Sequence, residues 1–264
     1  MDRLFDSVLV RPPSTSYEHC VSSNPDRNSI DIQLAKIQHQ SYVSILKENG
    51  IKVLELLPYE NYPDSVFMQD PAVLSLRRSI IGRFGETSRR GEEPKLVSEL
   101  RELEIMTDSA VLQIESPGTL EGGDIMITDH KQLFVGLSSR TNSSGIQQLQ
   151  DFLPDMKVIT VKTDSLHLLC ACSYLHESTM IITPELVSPQ NFPDLKYVKL
   201  NGEDAYASDA LYLGNRRVLI PSGFPNASNM LKDAGYTPVE VEVSEFRKGD
   251  GGVTCLCSPI YNIF

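Results

Sequence analysis

The alternation of helix-like and strand-like segments, repeated five times, constrains the fold of this chain more than any other feature. In each repeat a segment with helical spacing of apolar residues precedes a short strand-like run. The strands are expected to begin near Ile51, Ala110, Lys157, Lys196 and Thr237, a loose period of about forty to sixty residues. Such repetition favours a radial or stacked α/β architecture.

Two α/β architectures account for this alternation. One is a closed five-bladed α/β ring, which we expect, and the other is an ordinary doubly wound sheet, which is commoner. Periodicity alone does not decide between them. No stretch of the 264 residues is typical of a linker, so a single domain spanning residues 1–264 is expected.

The first helix is predicted from about Ser29 to Asn49, with its cap at Ser29 or the residue before it. Ile30, Leu34 and Ile37 are predicted to form its apolar face. Further helices are predicted in EEPKLVSELREL, SSGIQQLQDFL and NASNMLKDAG, and a weak one in PELVSPQNF.

Net charge and hydropathy exclude several classes of partner. The chain has 35 acidic and 24 basic residues, a net charge of −11, which repels nucleic acid and favours cationic ligands. Its apolar runs are too short for a membrane span, and its N-terminus lacks the apolar region of a signal peptide. We therefore expect a cytoplasmic protein that binds a small cationic molecule, with a homodimer left open.

Five cysteines, an odd number, argue for free thiols rather than a disulfide framework. They are Cys20, Cys170, Cys172, Cys255 and Cys257. The pairs in CAC and CLC are separated by one residue, whereas zinc ligands usually have a spacer of about two to four. We therefore predict neither a metal site nor a cofactor.

A polar cluster follows each predicted repeat strand. The clusters are DSVFMQDPA, GTLEGGD, SLHLLC, NGEDAYASDA and KGDGGVTC. In a closed ring these equivalent loops converge on the axis, where carboxylates, an imidazole and a thiol share one pocket. That combination suits covalent catalysis on a cationic carbon, with Cys255 as the candidate nucleophile.

Five motifs in order resemble those of the dimethylarginine dimethylaminohydrolases, of the guanidine-modifying or pentein superfamily. The motifs are DSVFMQD, TLEGGD, GLSSRTN, LHL and DGGVTC. The resemblance implies a five-bladed ββαβ propeller with a central active-site pocket. It also implies a hydrolase that cleaves the guanidinium C–N bond of N-omega-methylated arginine. The products are citrulline and an alkylamine, formed through a covalent thiouronium on cysteine.

The same resemblance implies a role for each matching residue. Cys255 corresponds to the nucleophile, His167 to the general acid and base, and Glu121 to the partner of the histidine. The implied substrate-binding residues are Asp64 and Asp70 at the guanidinium, Arg89 and Arg140 at the carboxylate, and Gln69, Asp250 and Val21. The choice of Arg89 over its neighbour Arg90 depends on the resemblance alone. Asp124, beside the same Gly-Gly pair as Glu121, is expected to stabilise its loop.

Two positions depart from the family pattern. Gln69 stands where these hydrolases commonly have Glu, and Leu169 stands where they commonly have Lys. Arginine deiminases and amidinotransferases of the superfamily carry an aspartate at the position of Leu169, where it grips unsubstituted nitrogens. Leu169 therefore favours an alkylated guanidine over free arginine.

Two alternative functions stay open at this point. One is another pentein activity, such as an arginine deiminase or a hydrolase of a related guanidine or ureido compound. The other is a non-catalytic binder of cationic amino acids in the same fold. In each case the first loop, STSYEHCVSSNPDRN, is expected to form a lid over the pocket.

Overall fold

Fifteen strands and five α-helices are present in the part of the chain that the computed structural model describes, residues 2–105 and 110–262. Both ends of the predicted 1–264 domain therefore lie outside the described residues. The helices are α1 Ile32–Glu48, α2 Glu92–Glu102, α3 Ser143–Phe152, α4 Pro225–Asp233 and α5 Ser244–Arg247. The strands are β1 Phe5–Val10, β2 Lys52–Glu55, β3 Ala72–Ser75, β4 Arg78–Ile81, β5 Ala110–Gln113, β6 Ile125–Ile127, β7 Gln132–Leu137, β8 Lys157–Lys162, β9 Cys172–His176, β10 Thr179–Ile182, β11 Lys196–Lys199, β12 Leu211–Gly214, β13 Arg217–Pro221, β14 Thr237–Val241 and β15 Ser258–Tyr261.

One pairing pattern recurs throughout the sheets: an antiparallel pair of strands followed by a parallel third strand. Three separate sheets have this pattern, β6–β7–β8, β9–β10–β11 and β12–β13–β14. A six-stranded sheet, in the order β2-β1-β15-β3-β4-β5, contains it twice, because β15 and β3 pair in parallel at its centre. The strand from the C-terminal part of the chain thus lies between β1 and β3, and the described residues form an α/β protein rather than one doubly wound sheet.

The predicted start of the first helix is wrong by three residues. Arg27–Ser29 form a separate 3-10 turn, and α1 begins only after Asp31. The Asp31 carboxylate accepts hydrogen bonds from the backbone N–H groups of Gln33 and Leu34, at 2.8 and 3.0 Å. Because aspartate is a strong N-cap, the helix starts there.

The predicted apolar face of α1 is also wrong. Leu34 and Ile37 are 39% and 61% exposed, whereas Ile30, outside the helix, is buried. The buried face consists of Ala35, Gln38, His39, Tyr42, Val43 and Leu46. Tyr42 donates a 2.9 Å hydrogen bond to the carbonyl of Val253, which anchors α1 to the loop that carries Cys255.

The fourth repeat has no α-helix between its second and third strands. The segment PELVSPQNF contains only a 3-10 turn, Pro189–Asn191, so the weak helix prediction is wrong. Proline at positions 184, 189 and 193 removes backbone donors at short intervals, and this prevents a continuous helix.

Four hydrogen-bonded links between polar loops, together with one from β9, which directly follows the loop after β8, join the five loops into a closed circuit. The backbone N–H of Gly122, in the loop after β5, donates a 2.8 Å hydrogen bond to the carbonyl of Asp70, in the loop after β2. Asp124 and Leu168 join the loops after β5 and β8. Ser173 in β9 bonds to Ser208 in the loop after β11. Asp209 and Thr254 join the loops after β11 and β14. The backbone N–H of Gln69 closes the circuit by donating to the carbonyl of Cys255, at 3.3 Å.

Within residues 2–105 and 110–262, no helix combines the length and the apolar character needed to span a bilayer.

Candidate active site

A small pocket of about 20 Å³ lies between the loops after β2, β8 and β14. The first loop and the two arginines, Arg89 and Arg140, complete its lining. Eight of the ten predicted site residues line it: Val21, Asp64, Asp70, Arg89, Arg140, His167, Asp250 and Cys255. Glu121 lies directly behind His167. The structure therefore brings together nine of the ten, from segments far apart in sequence.

His167 and Glu121 form the best-defined pair in the site. His167 Nε2 lies 2.7 Å from Glu121 Oε2, and Glu121 Oε1 accepts a 2.8 Å hydrogen bond from the backbone N–H of Gly85. Both side chains are buried, with Glu121 completely inaccessible. With both carboxylate oxygens occupied, Glu121 fixes the orientation of the imidazole.

Charges around His167 favour its protonated form. Burial opposes the imidazolium, but the charge of Asp70 and hydrogen bonds with Cys170 and Glu121 raise the pKa of His167 well above its ordinary value. Burial likewise opposes ionisation of Glu121, while the hydrogen bond from His167 lowers its pKa overall. Both shifts favour an imidazolium paired with a carboxylate, an arrangement that can donate a proton.

Asp70 presents one oxygen to an arginine and the other to the pocket. Arg89 Nη1 donates to Asp70 Oδ2 at 2.6 Å. Asp70 Oδ1 is buried, has no hydrogen bond within the described part of the chain, and lies 3.7 Å from His167 Nδ1. A buried, unpaired carboxylate oxygen beside the imidazole suits a cationic ligand. Gly123 allows this approach, because a Cβ there would lie 2.8 Å from both Asp70 Oδ1 and His167 Nδ1.

The first loop contributes Val21 to the pocket lining and forms hydrogen bonds with two of the predicted carboxylates. The backbone N–H of Val21 donates to both oxygens of Asp64, at 3.1 and 3.2 Å. The N–H of Ser23 donates to Asp250 Oδ2 at 2.6 Å. Burial raises the pKa of Asp64, partly offset by the charge of Arg89. These contacts hold the first loop against two carboxylates of the pocket lining.

The two predicted arginines differ in how many of their guanidinium N–H groups already donate hydrogen bonds within the protein. Arg89 is buried and donates to Asp70, to both oxygens of Glu92 and to the carbonyl of Asp64. These bonds use four of its five N–H groups, and among the described residues the fifth has no hydrogen-bond acceptor. Arg140 is partly exposed, with Nη1 3.8 Å from Glu121 Oε1. Arg90, the alternative to Arg89, is exposed and donates through Nε to the carbonyl of Phe84, away from the pocket.

Cys255 is buried beside the carboxylate of Asp209, which is not among the site residues predicted from the sequence. Its Sγ lies 3.6 Å from Asp209 Oδ2, and the other Asp209 oxygen accepts from the backbone N–H of Thr254 at 2.7 Å. Burial and then the charges of Asp209, Cys170 and Asp70 raise the pKa of Cys255 well above its ordinary value. Asp209 belongs to the fourth polar cluster, NGEDAYASDA, whose position in the repeat was the available signal.

Like Glu121, Gln69 does not line the pocket. Its side-chain Nε2 donates to the carbonyl of Gly122 at 3.3 Å, and the residue lines a different, largely apolar cavity of about 60 Å³. Leu169, the other departure from the family pattern, lines the same cavity. Direct contact of Gln69 with a substrate is therefore not supported by its position.

All five cysteines are free, as predicted. Among the described residues, the only cluster of three potential metal ligands is Asp70, Glu121 and His167, and it contains no cysteine. Neither the CAC pair nor the CLC pair therefore belongs to a cluster of three potential metal ligands among the described residues.

This geometry agrees with the comparisons with known proteins. A family model described as N,N dimethylarginine dimethylhydrolase, eukaryotic, matches residues 9–262. An uncharacterised protein of Aeropyrum pernix is 40% identical, over 99% of this chain and 98% of its own length. The N(G),N(G)-dimethylarginine dimethylaminohydrolase of Pseudomonas aeruginosa is 34% identical, over 96% of this chain and 98% of its own length.

Solved structures agree with these relatives. A mutant of the P. aeruginosa enzyme complexed with citrulline matches with a TM-score of 0.89 and 32% identity, over 98% of this chain and 100% of that chain. Family, sequence and structural matches extend over nearly the whole chain. The chain therefore belongs to the dimethylarginine dimethylaminohydrolase family of amidine hydrolases.

Proposed function

We propose that this chain hydrolyses the guanidinium C–N bond of N-omega-methylated arginine, giving citrulline and an alkylamine through a thiouronium adduct on Cys255. The observation that carries the proposal is one pocket in which Cys255, a His167–Glu121 pair and the unpaired oxygen of Asp70 meet. The name of the P. aeruginosa relative and the citrulline in its mutant's structure support the same substrate class.

In the first half-reaction, the Cys255 thiolate attacks the guanidinium carbon and forms a C–S bond. The substituted nitrogen leaves with the electrons of the C–N bond and takes a proton from His167, so that a neutral alkylamine departs. We assign this proton to Nδ1, because Nε2 is held by Glu121. The high pKa of His167 ensures that the proton is present beforehand.

In the second half-reaction, His167 accepts a proton from water as the oxygen attacks the thiouronium carbon. The C–S bond then breaks and the thiolate of Cys255 leaves with its electrons. The hydroxyl group that remains on the carbon loses its proton to solvent, which gives the ureido carbonyl of citrulline. One imidazole thus serves as acid and then as base, which restores its protonated state after each turnover.

The charged residues around these atoms position the substrate. Asp70 Oδ1 and Asp64 are proposed to hold the guanidinium in line with Cys255 Sγ. Arg140, with the remaining N–H of Arg89, is proposed to bind the substrate α-carboxylate. Val21 and Asp250 are proposed to contact the substrate from the loop and rim that cover it.

Leu169 favours methylated arginine over free arginine. It is 8% exposed, packs in an apolar cluster and lines the separate cavity, so it presents no carboxylate to the unsubstituted guanidinium nitrogens. Arginine deiminase activity is the second candidate, and this observation counts against it.

Five strand units, each an antiparallel pair with a parallel third strand, repeat along the described chain. We propose that they are the five blades of a pentein propeller in one domain spanning residues 1–264, with blades one and two joined through β15 and β3. The closed circuit of hydrogen bonds between the polar loops supports this arrangement. A homodimer and a cytoplasmic location stay predictions.

Substrate preference and quenched turnover test the proposed function together. We expect citrulline and methylamine or dimethylamine from the methylated arginines, with kcat/KM for free arginine lower by at least about 100-fold. His167→Ala should slow both half-reactions, and mass spectrometry of the quenched variant should show a substrate-derived adduct on the Cys255 peptide if the second half-reaction is slowed more than the first. Faster turnover of free arginine would instead establish the deiminase, and no turnover of any guanidine would leave only the binder.

A further inference from the structure

We propose that the cavity lined by Gln69 and Leu169 is a binding site for a small methylated ammonium ion, such as dimethylammonium. We call it the second cavity, and none of the described residues that line it also lines the active-site pocket. Such an ion is what the proposed reaction releases, so its effect on turnover rests on the proposed function, whereas its binding does not.

The volume of the second cavity limits the size of its ligand. The cavity measures about 60 Å³. One water molecule needs about 10–15 Å³ of such space, so there is room for a few non-hydrogen atoms. Dimethylammonium is of this size, whereas a whole methylated arginine is several times larger and does not fit.

Aromatic side chains from four strands line the second cavity: Phe5 of β1, Tyr174 of β9, Tyr212 of β12 and Tyr261 of β15. The rings of Phe5 and Tyr261 pack edge to face, with their centroids 6.0 Å apart. Aromatic faces attract cations, and cages of such rings recognise methylated ammonium groups. Aliphatic side chains such as Ile127 also line the cavity and provide apolar contacts for the methyl groups.

Asp2 supplies a carboxylate to the same lining. It accepts a 2.6 Å hydrogen bond from the hydroxyl of Tyr212, and the backbone N–H of Asn215 lies 2.9 and 3.1 Å from its two oxygens. Burial opposes ionisation of Asp2, but these hydrogen bonds lower its pKa below the ordinary value, so it is an anion at neutral pH. A carboxylate has about four lone-pair sites, so Asp2 can also accept an ammonium N–H.

The described residues of the lining include no Lys or Arg that would repel a cation. His176 also lines the cavity, and the Asp129 carboxylate lies 3.2 Å from its Nδ1. Asp129 therefore offsets a positive charge on this imidazole. The net charge of −11 over the whole chain adds a long-range attraction for cations.

Two lining residues connect the second cavity to the active site. Thr254 precedes Cys255, and its hydroxyl oxygen is buried with no hydrogen bond in the described part of the chain. Gln69 precedes Asp70, and its backbone N–H donates to the carbonyl of Cys255 at 3.3 Å. An ion in the cavity therefore acts on the backbone that positions both Cys255 and Asp70, and we expect it to lower kcat.

A titration followed by NMR at the methionine methyl groups tests the binding directly. Met126 lines the second cavity, whereas Met230, 38% exposed on α4, is the internal control. When dimethylammonium chloride replaces sodium chloride at constant ionic strength, the Met126 resonance should shift and saturate. The expected Kd is roughly millimolar, because a ligand of about three non-hydrogen atoms binds no more tightly than that.

Three variants locate the ion. Asp2→Asn removes the charge while keeping the shape and should weaken binding at least about tenfold. Asp6→Asn is the matched control, because Asp6 is an exposed aspartate of the same segment outside the lining. Ala210→Leu fills the cavity and should abolish the shift, and Asp2→Asn covers the case in which Ala210→Leu does not fold. A Met126 resonance that does not move, or equal binding by Asp2→Asn, overturns the proposal.

Inhibition of turnover tests the link to the active site. Dimethylammonium should lower kcat for a methylated arginine in the wild type and in Asp6→Asn, but not in Asp2→Asn. Equal inhibition of Asp2→Asn would mean that the amine acts on the adduct at Cys255, which overturns the link. Failure of the proposed function is a separate result: no methylated arginine would be cleaved, while the Met126 titration, which needs no turnover, would still report binding.

Discussion

Arg89 donates a 2.6 Å hydrogen bond to Asp70, in an ion pair whose side chains are each only 4% exposed. The pair orients Asp70 so that its second oxygen faces His167 across 3.7 Å. Glu92 holds the other edge of the Arg89 guanidinium, at 3.0 Å to each oxygen. The buried network thus aims one unpaired carboxylate oxygen into the pocket.

Asp70→Asn should impair both substrate affinity and chemistry. The neutral amide binds the guanidinium less tightly and lets it move out of line with Cys255, so KM should rise and kcat should fall together. Breaking a buried pair should also lower the free energy of unfolding by roughly 2–3 kcal/mol, less than a full loss because Glu92 still pairs with Arg89. Steady-state kinetics and denaturant titration measure both effects.

The matched control is Asp155→Asn, which breaks the exposed Arg78–Asp155 pair. Water and salt screen that pair, so kinetics and stability should both stay at wild-type values. If Asp70→Asn changed stability but neither kinetic constant, Asp70 would be structural and the proposed grip on the guanidinium would be wrong.

Glu121→Gln should shift the pH dependence of turnover to lower pH. The folded-state pKa of His167 is raised, so its protonated form persists at neutral pH and is lost as pH rises through that pKa. The neutral amide removes part of the charge that raises this pKa. The alkaline limb of the plot of kcat against pH should therefore move to lower pH.

Glu115→Gln serves as the control for Glu121→Gln, because Glu115 is an exposed carboxylate on the same connection after β5. Its pH profile should match that of the wild type. An alkaline limb in Glu121→Gln at the wild-type position would mean that Glu121 does not set the protonation of His167.

Cys255→Ser should abolish turnover while leaving folding and substrate binding largely intact. A hydroxyl is a far weaker nucleophile than a thiolate at neutral pH. Cys257→Ser should keep substantial activity, because Cys257 is fully buried beside Tyr42, where burial raises its pKa to about 12. Citrulline assays together with isothermal titration of a methylated arginine separate turnover from binding, and the reverse pattern would show that the nucleophile has been misassigned.

Arg140→Ala should mainly raise KM. The proposed contact with the α-carboxylate lies remote from the reacting carbon, so its loss should reduce kcat/KM by about 2–3 kcal/mol with little change in kcat. Arg90→Ala, which removes an exposed arginine that points away from the pocket, should leave both constants unchanged. Unaltered kinetics in Arg140→Ala would exclude recognition of an α-carboxylate at this position.

Much of this protein follows from local sequence. The strand starts near Ala110, Lys157, Lys196 and Thr237 coincide with β5, β8, β11 and β14, because alternating segments carry strong local signals. The polar loop after each strand is equally visible, since turn residues and charged clusters interrupt apolar runs. The positions of Cys255, His167 and Glu121 follow from motifs that keep their order along the chain.

Tertiary structure decided which members of these patterns meet. Helical spacing alone allows either Leu34 and Ile37 or Tyr42 and Leu46 to face the core, and only packing against the Cys255 loop selects the second pair. Within NGEDAYASDA, spacing cannot select Asp209, since its contacts with Thr254 and Cys255 span 45 and 46 residues.

Tertiary packing also decided where the side chain of Gln69 points and where β15 pairs. Gln69 is adjacent to Asp70 in sequence, yet its side chain lines the cavity on the other side of the loop. The pairing of β15 between β1 and β3 brings the last strand of the described chain beside the first. Backbone periodicity acts over a few residues, so the sequence by itself determined the elements and the chemistry. Long-range pairing and packing, which no local pattern encodes, decided where those groups converge.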